Sequence, residues 1–320
     1  MPYRDIPPDP PMPQVEPFTL SGRLDIDEYD AYDEWGIWVT GELESLIQWP
    51  KMKPVTENTW QESDGVETDL SDPKLASRNL TLKFAMKDCS VTALKEFVAY
   101  LKSSVYHTFT FNSLGGRTYA LRLLSYASLD YAVELGFLAV KFADDTPLPE
   151  YEYLAPVSSI ESLDEYKIDG KKLTDYGVRV LQGSLSEVLK HGNIKEAMKR
   201  DIKVLNGVIY DDEAEPKYKS RDVKLKCLMR AATILELWQN WDALLFDLTK
   251  PDERILYAQG ADNTPEGMII VPQPGQFYCY YKSCQVTTFY PTDKIWLEFT
   301  LTLCFTYRQI TAPRPEPDEL

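Results

Sequence analysis

Five carboxylates crowd residues 62–72, at Glu62, Asp64, Glu67, Asp69 and Asp72. Paired carboxylates at short spacing are the acid, base or nucleophile of glycoside hydrolysis. These five surround the dipeptide Asp64-Gly65, however, and acids gather at such turns because a short carboxylate bonds nearby main-chain amides. A turn role is therefore expected. Asp25-Ile26-Asp27-Glu28-Tyr29-Asp30 opens like a calcium loop, but the sixth position lacks glycine and Gly36 holds the twelfth, where a bidentate Glu is needed. A solvated acidic strand is the expectation there. His107 and His191 are the two imidazoles of the chain, and His107 reads as a surface or hydrogen-bonded strand histidine. No CxxC spacing joins Cys89, Cys227, Cys279, Cys284 and Cys304, so a zinc site is not expected. The odd number, with three cysteines inside apolar strand-like runs, points to reduced, buried thiols of a cytosolic protein.

Two further groups could serve a surface. Lys190, Lys195, Lys199, Arg200 and Lys203 form a basic run, read as a short helix with a solvated face, or else a contact with an acidic neighbouring subunit. Trp49, Trp60, Tyr151 and Tyr153 read as exposed aromatics, suited to sugar stacking or to an interface. No nucleophile elbow, phosphate-cradling glycine loop or Cys/His pairing occurs, and so catalytic, cofactor-binding and metal residues are all expected to be none. The formal charge of −16 disfavours binding to nucleic-acid phosphates. There is no signal-peptide pattern and no apolar run long enough for a membrane span, which leads to an expectation of cytoplasmic synthesis.

The elements that would position these residues are written twice. Residues 76–86 read A-S-R-N-L-T-L-K-F-A-M and residues 219–229 read K-S-R-D-V-K-L-K-C-L-M. In each, apolar residues alternate with polar ones, as in a strand with one buried face. The flanks repeat too: Trp35-Gly36-Ile37-Trp38-Val39 matches Tyr176-Gly177-Val178-Arg179-Val180 at an offset of 141, and Asp64-Gly65 matches Asn206-Gly207 at 142. Asp-Gly and Asn-Gly suit a two-residue type I′ hairpin turn. A tandem duplication of a unit of roughly 140 residues follows.

In the first unit the expected strands are Trp35 to Val39, 66–70, 80–86, 108–111, 117–125 and 137–142. A helix is expected over 91–103, where Leu94, Phe97, Val98 and Leu101 share one face and Ser90 or Thr92 caps it. In the second unit the helix is expected over 231–245, with Leu235, Trp238 and Trp241 in the places of Leu94, Phe97 and Tyr100, packed flat on a sheet. Closing strands are expected over 277–284 and 295–307, preceded by an inserted loop at 258–276 that could hold a ligand. The division is a Pro-rich arm at 1–22, a first domain at 23–145, a linker at 146–163, a second domain at 164–309 and an acidic Pro-rich tail at 310–320.

The order of Asp175-Tyr176-Gly177-Val178, a loop, an Asn-Gly hairpin, the Ser-Arg-Asp strand, one helix and a closing strand pair resembles the phage distal tail protein and tail tube families. Trp60 to Ser71 leading into Ser77-Arg78 resembles the same pattern. The resemblance implies mainly β domains, each an antiparallel sandwich or half-barrel with one flanking helix. It implies a prophage or virion tail protein, assembled in the bacterial cytoplasm as a trimeric or hexameric ring with other tail proteins. DNA would pass through the lumen without specific binding, past acidic residues on its wall. The chain is expected not to be an enzyme and to use no cofactor. The alternative is a tandem β-sandwich carbohydrate-binding or adhesin module, with the aromatics and the 258–276 loop as its ligand site.

Overall fold

A computed structural model describes residues 22–40, 43–87, 90–126, 130–132, 135–147, 151–190, 192–196, 199–210, 216–259, 275–291 and 294–306. Residues 1–21 of the Pro-rich arm, Cys89, His191, most of the inserted loop and the acidic tail lie outside the described residues.

The first half runs β1 (Leu24–Ile26), β2 (Tyr29–Asp30), α1 (Ala31–Trp35), β3 (Ile37–Val39), α2 (Glu44–Ile47), β4 (Glu57–Asn58), β5 (Glu67–Thr68), β6 (Arg78–Lys87), α3 (Val91–Leu101), β7 (His107–Phe111), β8 (Arg117–Tyr126), β9 (Asp130–Ala132) and β10 (Leu135–Asp144). The second runs β11 (Tyr166–Ile168), β12 (Lys171–Lys172), a 3-10 turn (Leu173–Tyr176), β13 (Val178–Val180), α4 (Ser184–Val188), β14 (Lys199–Asp201), β15 (Val208–Tyr210), β16 (Arg221–Ala231), α5 (Ile234–Leu248), β17 (Arg254–Ala258), β18 (Gln276–Tyr290) and β19 (Ile295–Phe305).

The protein is mainly β, built of curled antiparallel half-barrel sheets with few helices. One sheet has the order β2-β1-β7-β8-β10-β6-β3, with β9 beside β10; the other has β12-β11-β17-β18-β19-β16-β13. Element for element these orders are the same. The central strands behave as their alternation requires: Leu80, Leu82, Phe84 and Met86 are buried in β6, and Val223, Leu225, Cys227 and Met229 in β16. Each such side chain taken from water contributes about 1.5–3 kcal/mol.

The arginine of the repeated Ser-Arg pair has one job in both halves. Arg221 donates to the carbonyls of Glu187 and Val188, at 2.7 and 2.6 Å, where α4 ends. Arg78 donates to the carbonyl of Gln48, just past α2. A guanidinium at a helix C-terminus satisfies carbonyls that have no partner within the helix.

Several expected elements take another form. Trp35 ends a helix rather than starting a strand, because Asp30 accepts from the amides of Tyr32 and Asp33 at the N-cap and Gly36 closes the turn at φ 67°. Gly177 closes the equivalent 3-10 turn at φ 73°, and a Cβ there would lie 2.5 Å from the Arg230 carbonyl oxygen. The matched glycines therefore let the chain reverse tightly against β6 and β16, whose Lys87 and Arg230 amides donate to their carbonyls.

Both short hairpins exist, but neither has a two-residue turn. Residues 59–66 connect β4 to β5 and residues 202–207 connect β14 to β15. Gly65 and Gly207 have positive φ, whereas Asp64 and Asn206 do not, and a type I′ turn needs both central residues there. The expected 66–70 strand shrinks to Glu67–Thr68. The basic run is not helical: α4 ends before it and Lys199–Asp201 is a strand.

Helix α3 starts where its cap places it, with the Ser90 hydroxyl accepting from the Ala93 amide at 3.2 Å, a bond worth about 1 kcal/mol. Helix α5 starts three residues later than expected, after Thr233, whose hydroxyl accepts from Glu236 N while Glu236 accepts from the Ala232 amide. Ala231 belongs to β16 and Leu235 is exposed. Aligned by their caps, the helices match Leu237 with Leu94, so Trp238 and Trp241 are free to face elsewhere.

Candidate assembly interface

Those two tryptophans face the first half. Trp238 donates its indole N–H to the Leu114 carbonyl at 2.8 Å, and Trp241 donates to the Ile47 carbonyl at 3.0 Å. Trp241 also stacks on Trp49 with ring centroids 4.0 Å apart. Trp49 is accordingly buried, against the expectation of an exposed aromatic. Beside Trp238, Arg117 lies over the indole ring at 4.1 Å and holds Asp242 through two hydrogen bonds of 2.8 and 2.9 Å. Burial works against the charge of Arg117, but Tyr119 and Asp242 hold its pKa above the ordinary arginine value. One buried apolar cluster runs through both halves.

An arm, residues 48–76, carries this contact onward. It leaves α2, crosses β18 and β19 of the second half, and returns to β6. The Met52 amide donates to the Lys282 carbonyl at 3.0 Å, and the Val66 amide to the Thr306 carbonyl at 3.0 Å. The Tyr281 hydroxyl donates to the Pro50 carbonyl at 2.7 Å, and the Tyr280 hydroxyl to Glu57 at 2.8 Å. Leu70 packs with Tyr280 and Cys304. The backbone groups of the arm thus find partners on a neighbouring unit, as unpaired strand-like segments must.

The tip of the arm meets Lys195, which is buried. Its ammonium donates to the carbonyls of Trp60, Ser63 and Gly65 at 2.7, 2.8 and 2.6 Å. Burial lowers its pKa, and Asp64 and Glu62 push back. Asp64 accepts from the Tyr218 amide at 2.7 Å, and the Gly65 amide donates to the Tyr218 carbonyl at 2.7 Å. The Asp64-Gly65 corner is a docking point on the second half.

The remaining candidates have structural partners. Asp69 accepts from the Ser71 amide and hydroxyl, and those bonds lower its pKa. Trp60 is exposed with its indole on Glu67 at 3.1 Å. The Asp25 to Asp30 stretch is the β1–β2 hairpin, turned at Asp27 with φ 56°. Asp27 accepts from the Thr108 amide and from Tyr100, and its Oδ2 lies 2.7 Å from Nδ1 of the buried His107. Burial raises the Asp27 pKa, but these bonds outweigh it and the net shift is downward. Cys227, Cys279, Cys284 and Cys304 are free, buried thiols, pushed up by burial, Cys304 to about 11.

Asp247 ties Tyr153 of the segment between the halves, and Lys171 and Tyr176 of the second half, to α5. It accepts from Tyr176 and Tyr153 at 2.5 and 3.1 Å, from Lys171 at 2.9 Å, and from Lys250. Burial raises its pKa, but the bonds from Lys250, Tyr176 and Lys171 prevail and bring it down to about 2. Asn240 fixes the same segment by exchanging two 2.8 Å hydrogen bonds with the Val157 backbone.

A groove of about 590 Å³ lies between the arm and the second sheet, lined among others by Lys51, Asp222, Lys224, Lys282, Gln285 and Thr302. Among the described residues no group of three or more His, Cys, Asp or Glu could hold a metal ion, and no helix is long and apolar enough to cross a membrane. Sequence reasoning missed the arm contacts, since they join residues far apart in the chain.

No family model matches the chain, and no curated protein matches it. Among solved structures, the crystal structure of the SPP1 Dit (gp 19.1) protein, described as a paradigm of the hub adsorption apparatus in Gram-positive-infecting phages, is similar at 12% identity and a TM-score of 0.30, over 88% of this chain and 97% of that chain.

Proposed function

We propose that the chain is a structural component of a phage or prophage tail, a distal-tail, tube or hub-like protein. On this reading its halves are copies of one unit, and it works by assembling into a ring around a DNA channel. The supporting observation is that two sheets of one strand order lie in a single chain and dock through an arm of the first on the second. A contact between unlike surfaces of like units can propagate from copy to copy. Three chains would supply six units in a pseudo-six-fold ring, and six chains two stacked rings.

The reading assigns no catalytic residue and no cofactor. Asp64 and Asp69 serve docking and a turn. The adhesin alternative loses two of its aromatics, since Trp49 is buried on Trp241 and Tyr153 is bonded to Asp247. The exposed faces of β6 and β16 carry Lys83, Lys224 and Lys226, which tells against these two strands forming an acidic channel wall. Negative-stain microscopy with light scattering tests the reading. Rings are expected; a strict monomer at high concentration and several salt concentrations, with no rings beside neighbouring tail proteins, would reject it.

A further inference from the structure

The second half has an arm of its own. It leaves α4, forms the β14–β15 hairpin and returns to β16, and its base repeats that of the first arm bond for bond. The Lys53 amide donates to the Lys74 carbonyl and the Lys195 amide to that of Lys217; the Ala76 amide donates to the Lys51 carbonyl and the Lys219 amide to that of Asn193. Met52 bridges Leu75, and Ile194 bridges Tyr218. Yet the fates differ. Met52 lies against the second half, whereas Ile194 is 57% exposed, and Val204, Leu205, Val208, Ile209 and Tyr210 around the second hairpin are exposed as well, Val204 by 88%. A cluster of apolar residues on a protruding hairpin marks a contact surface.

The matching surface lies on the first half. Strand registers pair Phe142 with Leu80 and with Leu123, and Leu303 with Val223 and with Tyr281. Leu123 therefore corresponds to Tyr281, and the next residue, Leu124, to Lys282; each sits in a β-bulge at the same place. In the second half this site is covered by the first arm. In the first half Leu124, Tyr126, Val105 and Tyr106 are exposed. Lys53, the counterpart of Lys195, is also exposed.

We infer that the second arm docks on the first half of a second copy of this chain, with the Ile194 amide donating to the Leu124 carbonyl of that copy. The Lys53 ammonium of that copy takes the main-chain carbonyls of the 202–207 turn, as Lys195 takes those of the first arm. The inference rests on the reading that the halves are equivalent assembling units. The occupant is a second copy, because the intrachain contact already supplies one worked instance of the interface, and its free ends are an exposed apolar hairpin and an exposed apolar receiving site. A contact of this sort is heterologous and leaves one arm and one receiving site for further copies.

Ile194→Cys and Leu124→Cys chains, mixed and treated with a short bismaleimide, test this. The expected result is a two-chain product that needs both variants, while Met52→Cys with Lys282→Cys in one chain gives an intrachain product as control. Ile209→Asp is expected to weaken self-association about tenfold or more, as loss of an apolar anchor does, with an unchanged circular dichroism spectrum. Assembly without the 194–124 product, the control working, overturns this inference and leaves the assembly reading standing. A monomer under all conditions overturns both.

Discussion

Arg117 on β8 and Asp242 on α5 face each other in a fork of two hydrogen bonds, 2.8 and 2.9 Å, across the boundary between the two halves. Two parallel bonds fix orientation as well as distance. Arg117→Ala should leave Asp242 half-buried without its partner and strip the cation from the Trp238 ring. The expected loss is about 3 kcal/mol, at the low end for buried pairs because both side chains retain some contact with water. Urea melts of the single and double variants, closed into a cycle, measure the coupling; additive losses would show that the fork contributes nothing.

The Trp49–Trp241 stack makes a second prediction. Trp241→Ala removes an aromatic that fills the core, an indole hydrogen bond and the stacking partner, at a cost of about 3–5 kcal/mol. Near-ultraviolet circular dichroism should lose the signal of two rings 4.0 Å apart. Trp60→Ala, at an exposed site, should leave both stability and spectrum nearly unchanged.

Asp247 makes the protein sensitive to acid. Its pKa is about 2 in the folded state against about 3.9 in an unfolded chain. A depressed carboxyl stabilises above the unfolded value, and that contribution is lost as pH falls through the folded one. Asp247→Asn should therefore cost about 2–3 kcal/mol at neutral pH, with the gap to the native protein closing between about pH 4 and pH 2. A gap that stays constant over this window would remove Asp247 from the account.

Lys195→Met keeps the length of the side chain but leaves three carbonyls without their donor. The Gly65 carbonyl is the buried one of the three, and a buried acceptor left unpaired costs about 1–3 kcal/mol, a loss that falls on the arm rather than the sheets. Protease cleavage within residues 59–66 should accelerate while amide exchange in β6 and β16 stays slow. Equal acceleration everywhere would mean that the arm is not a separate cooperative element.

The parts legible in the sequence were those set by local periodicity. Leu80 to Met86 and Val223 to Met229 alternate because one face of each strand is buried, and α3 was framed by Ser90 and its apolar stripe. Strand β17 escaped because Ile255, Leu256 and Tyr257 form a contiguous apolar run, though burial alternates along Arg254–Ala258 once folded. The Asp-Gly and Asn-Gly pairs marked real corners, but both loops, 59–66 and 202–207, are longer than two residues, and in each only the glycine takes positive φ. Trp49 looked exposed because what covers it, Trp241, belongs to the other half. A partner that remote leaves no trace in spacing.

The segment that Asp247 and Asn240 pin to α5 also sets the kinetics of association. It keeps the first arm beside its receiving sheet at an effective concentration on the order of millimolar, so that this contact closes as a unimolecular step. Dilution that separates chains leaves it intact. On the assembly reading, every other unit-to-unit contact is formed before chains ever meet, and fewer than half as many bimolecular encounters are needed as for the same structure built from single units.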